Sequence, residues 1–316
     1  MATDLDLTRI EEASRTADPA FRDSPQFISE PLCAALGRQV VVKLETANPL
    51  GSFKGRGASF LVRSLPVGST VVAASSGNLG VALAYAAQAR GVSAHVYVPS
   101  GISPARLARM RGLGAEVTVT AGDAARAARA HVAARPGCVL ANNHPAVAEG
   151  AGAIGVELLR AGRLDAVVLP VSDGTLVTGV GSWVKARSPA TRIIGVCPAA
   201  APAVALSWQA GHVVRADPGT TIADGLATAA PAPEAVHRMC QVVDDMVLVP
   251  DSALLDAMRL AARTLGVLIE PSAAAGLAAI ACHDVPGTTI ATVLTGTDPG
   301  SPGLAEALRD GLPGRP

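Results

Sequence analysis

The sequence predicts an α/β protein in which parallel sheets are covered by helices on both faces. From residue 40 onward, short and nearly continuous apolar runs alternate with alanine-rich helical stretches, which is typical of buried parallel strands joined by helices. The length of 316 residues suits two domains of ordinary size or one large α/β unit. In such open sheets ligands bind beyond the carboxyl ends of the strands, so the residues that follow each strand are the candidate site residues.

The individual elements follow from the spacing of apolar and β-branched residues. The first 30 residues are polar and predicted to be irregular, except for a short helix over residues 7–17. Strands are predicted at residues 40–44, 70–74, 94–99, 116–120, 166–170, 193–197, 242–249 and 289–294. Helices are predicted at residues 58–64, 79–89, 104–113, 124–134, 150–161, 176–186, 201–210, 251–265 and 273–281.

The composition argues against several classes of protein. With 26 basic and 26 acidic residues the net charge is zero, and charged residues make up only 16%, so neither nucleic acid nor a membrane surface is an expected partner. No apolar run approaches the roughly 20 residues of a membrane span, and the acidic N-terminus lacks the pattern of a secretory signal. The five cysteines are scattered without a Cys-x-x-Cys pair. We therefore expect a cytoplasmic protein with reduced thiols.

A lysine within a glycine-rich segment is the first candidate for chemistry. Residues 51–57 read Gly-Ser-Phe-Lys-Gly-Arg-Gly and lie between a predicted strand and a predicted helix. Glycines let backbone and ligand approach closely, and partial desolvation lowers the pKa of a lysine, whose neutral amine can attack a carbonyl. The segment alone leaves an alternative open, in which Lys54 is a surface lysine in a turn.

Two further loops have the features of anion-binding sites. Residues 75–79, Ser-Ser-Gly-Asn-Leu, follow a strand and open a helix, where unpaired N–H groups and the helix dipole favour a carboxylate. The alternative is that Ser76 or Asn78 is only the N-cap of that helix. Residues 172–181 form a second small-residue loop at a helix start, which suits a phosphate held by backbone amides. It is neither a Walker P-loop nor a G-x-G-x-x-G, and Asp173 within it would repel a phosphate unless it points away.

One ligand requires an amine nucleophile, a phosphate cradle, a donor to a phenolic oxygen and a hydroxyl near a ring nitrogen. That ligand is pyridoxal phosphate, held as a Schiff base. The chain resembles the serine/threonine dehydratase group of the fold-type-II (tryptophan synthase β-like) pyridoxal-phosphate enzymes over residues 27–298. The resemblance depends on six motifs in register, at residues 51–57, 75–78, 172–179, 221–225, 270–273 and 294–297.

The resemblance implies a fold and a domain organisation. It predicts two open, twisted, mostly parallel sheets covered by helices, with the active site in the cleft between two domains. The large cofactor-binding domain would comprise residues 1–65 and 145–316, and the small substrate-binding domain residues 66–144. Dimers are common in the group, so a homodimer is also expected.

The resemblance assigns roles to single residues. Lys54 forms the Schiff base and then moves the α proton of the substrate. Ser76 matches the hydroxyl that serves as the opposite acid/base in serine racemases, so both residues are candidate catalytic groups. Phe53 packs beside the cofactor, Asn78 donates to its 3′ oxygen, and Thr295 faces the pyridine nitrogen. Because a neutral hydroxyl does not force that nitrogen to stay protonated, Thr295 favours loss of a β-substituent over transamination.

The same resemblance divides the two loops between cofactor and substrate. The cofactor phosphate is expected to be held by Ser172, Gly174, Thr175 and Leu176. The substrate carboxylate is expected to be held by Ser75, Ser76, Gly77, Asn78 and Leu79.

Three positions depart from the pattern of the group. The phosphate loop is usually four glycines, but residues 172–175 read Ser-Asp-Gly-Thr. Many dehydratases have histidine where this chain has Leu79. Metal-activated members carry a glutamate where Cys197 stands, so we predict no activating divalent ion and no other metal site.

The predicted function is β-elimination from a small hydroxy amino acid such as L-threonine or L-serine, giving a 2-oxo acid and ammonia. Lys54 would take the α proton, and the phosphate or a nearby hydroxyl would assist the leaving group. The alternatives are a β-replacement transferase (cysteine-synthase-like or diaminopropionate-forming), a threonine-synthase-like reaction, an amino-acid racemase, and a cofactor-binding protein without turnover. The sequence leaves the choice of amino acid open.

Overall fold

The computed structural model describes residues 3–217 and 219–298, and this part of the chain contains ten strands and twelve α-helices. The strands are β1 Gln26–Ile28, β2 Gln39–Leu44, β3 Thr70–Ala74, β4 Ser93–Pro99, β5 Glu116–Thr120, β6 Cys138–Leu140, β7 Ala166–Pro170, β8 Arg192–Pro198, β9 Asp245–Val249 and β10 Thr289–Leu294. The helices are α1 Leu7–Thr16, α2 Glu30–Leu36, α3 Lys54–Arg63, α4 Asn78–Gln88, α5 Pro104–Gly112, α6 Ala124–Ala134, α7 Pro145–Leu158, α8 Thr175–Arg187, α9 Ala203–Ala210, α10 Pro233–Val242, α11 Asp251–Leu265 and α12 Pro271–Cys282.

The strands form two sheets, which confirms the predicted fold class. One has six strands in the order β1-β2-β10-β7-β8-β9, and the other has four in the order β5-β4-β3-β6. All pairs are parallel except β1 with β2, which is antiparallel. Strand β10, the last of the described strands, lies between β2 and β7. The carboxyl ends of three distant segments therefore meet at one edge of the larger sheet.

Both faces of the larger sheet are buried, as expected for parallel strands. Val40 and Val42 pack with α12 on one face, whereas Val41 packs with α8 on the other, because successive side chains of a strand alternate. The smaller sheet shares its core with α4 and also with α3 and α7. Its strands all lie within residues 70–140, inside the range predicted for the small domain, and the exact division into domains stays a prediction.

The helix that begins at Lys54 is longer than its sequence indicates. Prediction started it at residue 58, since Gly55 and Gly57 disfavour a helix. A Cβ at Gly55 would lie 2.3 Å from the Phe21 ring, and one at Gly57 would lie 2.4 Å from the Val147 carbonyl oxygen. Close packing therefore requires both glycines, and packing overrides their low helix propensity.

Other differences concern short or overlapping elements. Strands β1 and β6 and helices α2 and α10 were not predicted, and α7 begins at Pro145 instead of residue 150. The predicted strand over 242–249 was wrong at its start, because Val242 is the last residue of α10 and β9 begins at Asp245. The buried apolar side chains of α10 (Ala235, Val236, Met239 and Val242) have helical spacing, and this run merges with the β-branched residues that follow it.

Candidate active site

A cavity of about 490 Å³ lies at the carboxyl ends of β3, β7 and β10, within the size range of small-molecule sites. Eleven of the twelve predicted site residues line it: Phe53, Lys54, Ser75, Ser76, Gly77, Asn78, Leu79, Ser172, Gly174, Leu176 and Thr295. Thr175 is the exception, because it is buried at the first position of α8 and does not line the cavity.

Lys54 is held at the cavity wall by the end of β10. The Phe53 N–H donates to the Thr295 carbonyl at 3.0 Å, and Ser52 pairs with Gly296 in an isolated bridge. The lysine side chain is 16% exposed, and its ammonium lies 4.9 Å from the centre of the Phe53 ring. These contacts bring Lys54 and the Thr295 backbone together across more than 200 residues of sequence.

Beneath the first turn of α3 lies a buried ion cluster formed by Arg56, Glu45, Glu157 and Lys43. Arg56 is fully buried and donates two hydrogen bonds to each glutamate, at 2.7–2.9 Å. Lys43 pairs with Glu157 and donates to the Ser24 carbonyl at 2.7 Å. Burial disfavours the charged form of both cations. At Lys43 burial prevails and lowers the pKa, whereas at Arg56 the attraction of Glu45 and Glu157 outweighs burial and raises the pKa. The cluster ties α3, two residues from Lys54, to β2 and α7.

The loop after β3 offers backbone donors to the cavity. Gly77 is the N-cap of α4, and the Ser75 hydroxyl accepts from the N–H groups of Gly77 and Gly80 at 3.3 and 3.2 Å. The alternative in which Ser76 or Asn78 caps the helix is therefore wrong. The Asn78 side-chain amide instead donates to both carboxylate oxygens of Glu270, at 3.3 and 3.4 Å. Since N–H groups of a first helical turn lack partners within the helix, this loop can bind a carboxylate.

The loop after β7 begins α8 with Gly174, whose φ of +82° is left-handed and suits glycine. Asp173 points into the site rather than away from it. The Thr175 N–H donates to Asp173 Oδ1 at 2.9 Å, and Lys54 Nζ donates to Asp173 Oδ2 at 3.2 Å. Although burial opposes ionisation, the Lys54 ammonium and the Thr175 N–H lower the pKa of Asp173. The lysine thus has a carboxylate partner that prediction did not assign to it.

Glu270, the first residue of the motif at residues 270–273, lines the cavity. It precedes α12, its N–H donates to the Gly296 carbonyl at 3.1 Å, and its carboxylate faces Asn78. Burial, with two neighbouring aspartates, raises the pKa of Glu270 to about 7. A Cβ at Gly296 would lie 2.8 Å from Glu270 Oε1, so a side chain there would displace the carboxylate.

Arg106 and Asn142 are among the cavity residues that the sequence did not predict. Arg106 of α5 donates to Asp298 at 2.6 Å and to Asp224 at 2.7 Å. Asn142 exchanges two hydrogen bonds with the backbone of Ala74, at 2.8 and 3.0 Å, and thereby fixes the end of β3. The partners of both residues lie far away in the chain, and Asn142 follows β6, a strand too short to predict. No local pattern could have identified them.

The residues present fit pyridoxal phosphate. Lys54 supplies the amine, Asn78 an amide donor and Thr295 a hydroxyl, all on the wall of one cavity. The first turn of α8 supplies backbone donors and the positive end of a helix dipole for a phosphate. Gly296 keeps the wall free of a side chain beside Glu270 and Asn78, because a Cβ there would lie 2.8 Å from the Glu270 carboxylate and 3.3 Å from the Asn78 amide nitrogen.

Cys197 stands at the position for which the sequence predicts no activating metal ion. Its thiol is buried and donates to the Val171 carbonyl at 3.7 Å, and burial raises the pKa of Cys197 to about 12. Within residues 3–217 and 219–298, no group of three or more His, Cys, Asp or Glu side chains is arranged to hold a metal ion.

In the same part of the chain, no helix is both long and apolar enough to cross a bilayer.

Comparisons with known proteins agree with the geometry of the site. The family model of pyridoxal-phosphate-dependent enzymes matches residues 18–296. A serine racemase of Oryza sativa subsp. indica is 33% identical over 285 residues, covering 87% of this chain and 83% of the relative. An L-threonine ammonia-lyase of Thermotoga maritima is 31% identical over 301 residues, covering 92% and 75%. The crystal structure of a threonine deaminase from T.th. matches with a TM-score of 0.86 and 35% identity, covering 93% of this chain and 98% of that one. The chain therefore belongs to the family of pyridoxal-phosphate-dependent enzymes.

Proposed function

We propose that this enzyme catalyses β-elimination from a small hydroxy amino acid such as L-threonine or L-serine, giving a 2-oxo acid and ammonia. The observation that carries the proposal is that Lys54 and Thr295 line the same cavity, and the hydrogen bond from the Phe53 N–H to the Thr295 carbonyl holds the two segments together. The ammonia-lyase and the threonine deaminase among the similar proteins support the same reaction.

The bound cofactor supplies the electron sink that makes the substrate α carbon acidic. Each nearby residue then has a defined task. The Lys54 amine takes the α proton and can return it, and the loop of residues 75–79 binds the substrate carboxylate through its backbone donors. The hydrogen bonds from the Asn78 amide to Glu270 fix the orientation of the amide group in the cavity. Ser172, Gly174, Thr175 and Leu176 hold the phosphate.

Lysine replacement tests the proposal, because the chain has only three lysines and all three lie in its described part. Lys43 is buried in the ion cluster, Lys185 pairs with Asp244, and Lys54 lines the cavity. The purified wild type is expected to absorb in the visible region and to form pyruvate from L-serine or 2-oxobutyrate from L-threonine. Lys54→Ala should lose both properties, whereas Lys185→Ala should keep them. A colourless wild type that binds no cofactor would refute the whole proposal.

A racemase is the second candidate, because the Ser76 hydroxyl lines the same cavity as Lys54 and the Oryza sativa relative is a serine racemase. Ser76 would supply or remove the proton on the face of the substrate opposite Lys54. A racemase should form D-serine from L-serine. Ser76→Ala should then stop forming D-serine but keep the elimination activity. If the enzyme forms a 2-oxo acid but no D-amino acid, it catalyses elimination. If it forms neither product but replaces the β-substituent by an added thiol, it is the transferase of the alternative.

We further propose that the enzyme is a cytoplasmic homodimer with the domain division expected from the sequence. The balanced charge and the dispersed cysteines support the location. Light scattering should give twice the mass of one chain. A monomeric mass at micromolar concentration would refute the dimer.

A further inference from the structure

The Asp173 carboxylate occupies a backbone donor that a phosphate in the same loop would need, and it also pairs with the lysine that is expected to hold the cofactor. It accepts from the Thr175 N–H at 2.9 Å and from Lys54 Nζ at 3.2 Å. The first group belongs to the amino end of α8, and the second is the only lysine amine of the cavity among the described residues. We infer that Asp173 competes with the phosphate of the cofactor for this cradle and thereby sets how tightly the enzyme holds its cofactor. The inference rests on the proposed cofactor site.

The local backbone explains why the carboxylate reaches these partners. Gly174, with φ of +82°, turns the chain sharply between Asp173 and the helix, so that the Asp173 side chain folds back over the first turn of α8. An anion at this end of a helix is stabilised by the dipole, which is the same interaction that favours a phosphate. The Asp173 side chain is 34% exposed, so solvent screens the competition in part but does not abolish it.

The ion pair has a consequence for Lys54 as well. An ammonium held by a carboxylate cannot act as a nucleophile, and the amine must lose both its proton and this partner before it attacks an aldehyde. Binding of a phosphate in the loop would displace the like-charged carboxylate and so release the lysine. Cofactor capture and release of Lys54 are therefore coupled through a single side chain.

Replacement of Asp173 should strengthen cofactor binding. Asp173→Asn removes the charge but keeps the side-chain volume and an oxygen that can accept from Thr175, whereas Asp173→Gly removes the whole competitor. The dissociation constant of pyridoxal phosphate, measured by equilibrium dialysis, is expected to fall at least about tenfold in Asp173→Gly, which is the effect of one hydrogen bond to a charged group. It should fall by a smaller factor in Asp173→Asn.

A matched control is Asp123→Asn, since Asp123 lines the same cavity but caps α6 and contacts neither Lys54 nor α8 in the described structure. Asparagine is an equally good N-cap, so this variant changes the charge of the cavity without unfolding α6. Its dissociation constant should stay within about twofold of wild type, because an acid outside the cradle is largely screened. A fall equal to that of Asp173→Asn would mean that only the total charge matters, and would overturn the inference.

Melting temperature separates competition from a merely structural role. In protein stripped of cofactor, Asp173→Gly should melt below wild type, because it loses the hydrogen bond from the first N–H of α8 and an ion pair. With saturating cofactor the difference should disappear. Inorganic phosphate alone, used as a probe, should raise the melting temperature of Asp173→Gly more than that of wild type.

Two further results would overturn the inference: a dissociation constant that is unchanged or higher in both Asp173 variants, or an equal loss of melting temperature with and without cofactor. Either result leaves the proposed function intact if wild type binds the cofactor and Lys54→Ala loses its absorbance. A wild type without cofactor would instead refute the proposed function itself.

Discussion

The buried ion cluster around Arg56 allows a quantitative prediction of stability. Arg56→Met replaces the guanidinium by an apolar side chain at a position with no solvent exposure. Four hydrogen bonds to Glu45 and Glu157 are lost. Lys43 remains to pair with Glu157, but Glu45 keeps only the Ser24 hydroxyl, at 2.5 Å, among the contacts of this cluster.

Removal of one partner from a buried ion pair costs about 3–5 kcal/mol, because the other charge stays buried without compensation. The upper half of this range applies here, since Arg56 neutralises two carboxylates at once. The loss is a large part of the roughly 5–15 kcal/mol by which a folded domain is stable. Activity should fall further than stability alone explains, because α3 carries Lys54 two residues before Arg56.

Urea unfolding followed by circular dichroism measures the effect, with cofactor saturating in every sample. Arg160→Met is the matched control, since its arginine pairs with Asp23 at the surface, where such a pair contributes less than about 1 kcal/mol. A loss below about 1 kcal/mol in Arg56→Met would refute the view that this cluster holds α3 in place.

Three other predictions concern packing, pH and metal dependence. Gly57→Ala should destabilise the fold by about 1–3 kcal/mol in urea unfolding, because the added Cβ would meet the Val147 carbonyl. The control Gly112→Ala should be neutral or stabilising, because a Cβ at this helical glycine would lie in open space. Burial raises the pKa of Glu270 to about 7 from its ordinary 4.5, so its contribution to stability is full below pH 4.5 and declines as pH rises to 7. Glu270→Gln should therefore gain stability relative to wild type across this interval, and a pH-independent difference would contradict the assignment. Chelation of divalent ions should leave the rate unchanged, because the buried Cys197 thiol stays protonated, and a loss restored by Mg²⁺ would disprove this.

The sequence by itself determined the fold class, most strands and most of the predicted residues that line the cavity. Apolar spacing is a local property, so the parallel strands could be recognised one at a time. Lys54 and Asn78 stood out because they lie in small-residue segments between a strand and a helix, and the carboxyl ends of parallel strands converge. The role of Thr295, and the division of the residues between cofactor and substrate, came from the resemblance to the dehydratase group.

The tertiary structure alone decided which side chains touch. Asp173 meets Lys54 across 119 residues, and Glu270 meets Asn78 across 192. The first pair follows from the order β2-β10-β7 within the larger sheet, whereas the second joins a loop of the smaller sheet to the start of α12, and no local pattern encodes either arrangement. The helical state of Gly55 and Gly57 and the direction of Asp173 likewise depend on packing and ion pairing with distant residues, since local propensity favours neither.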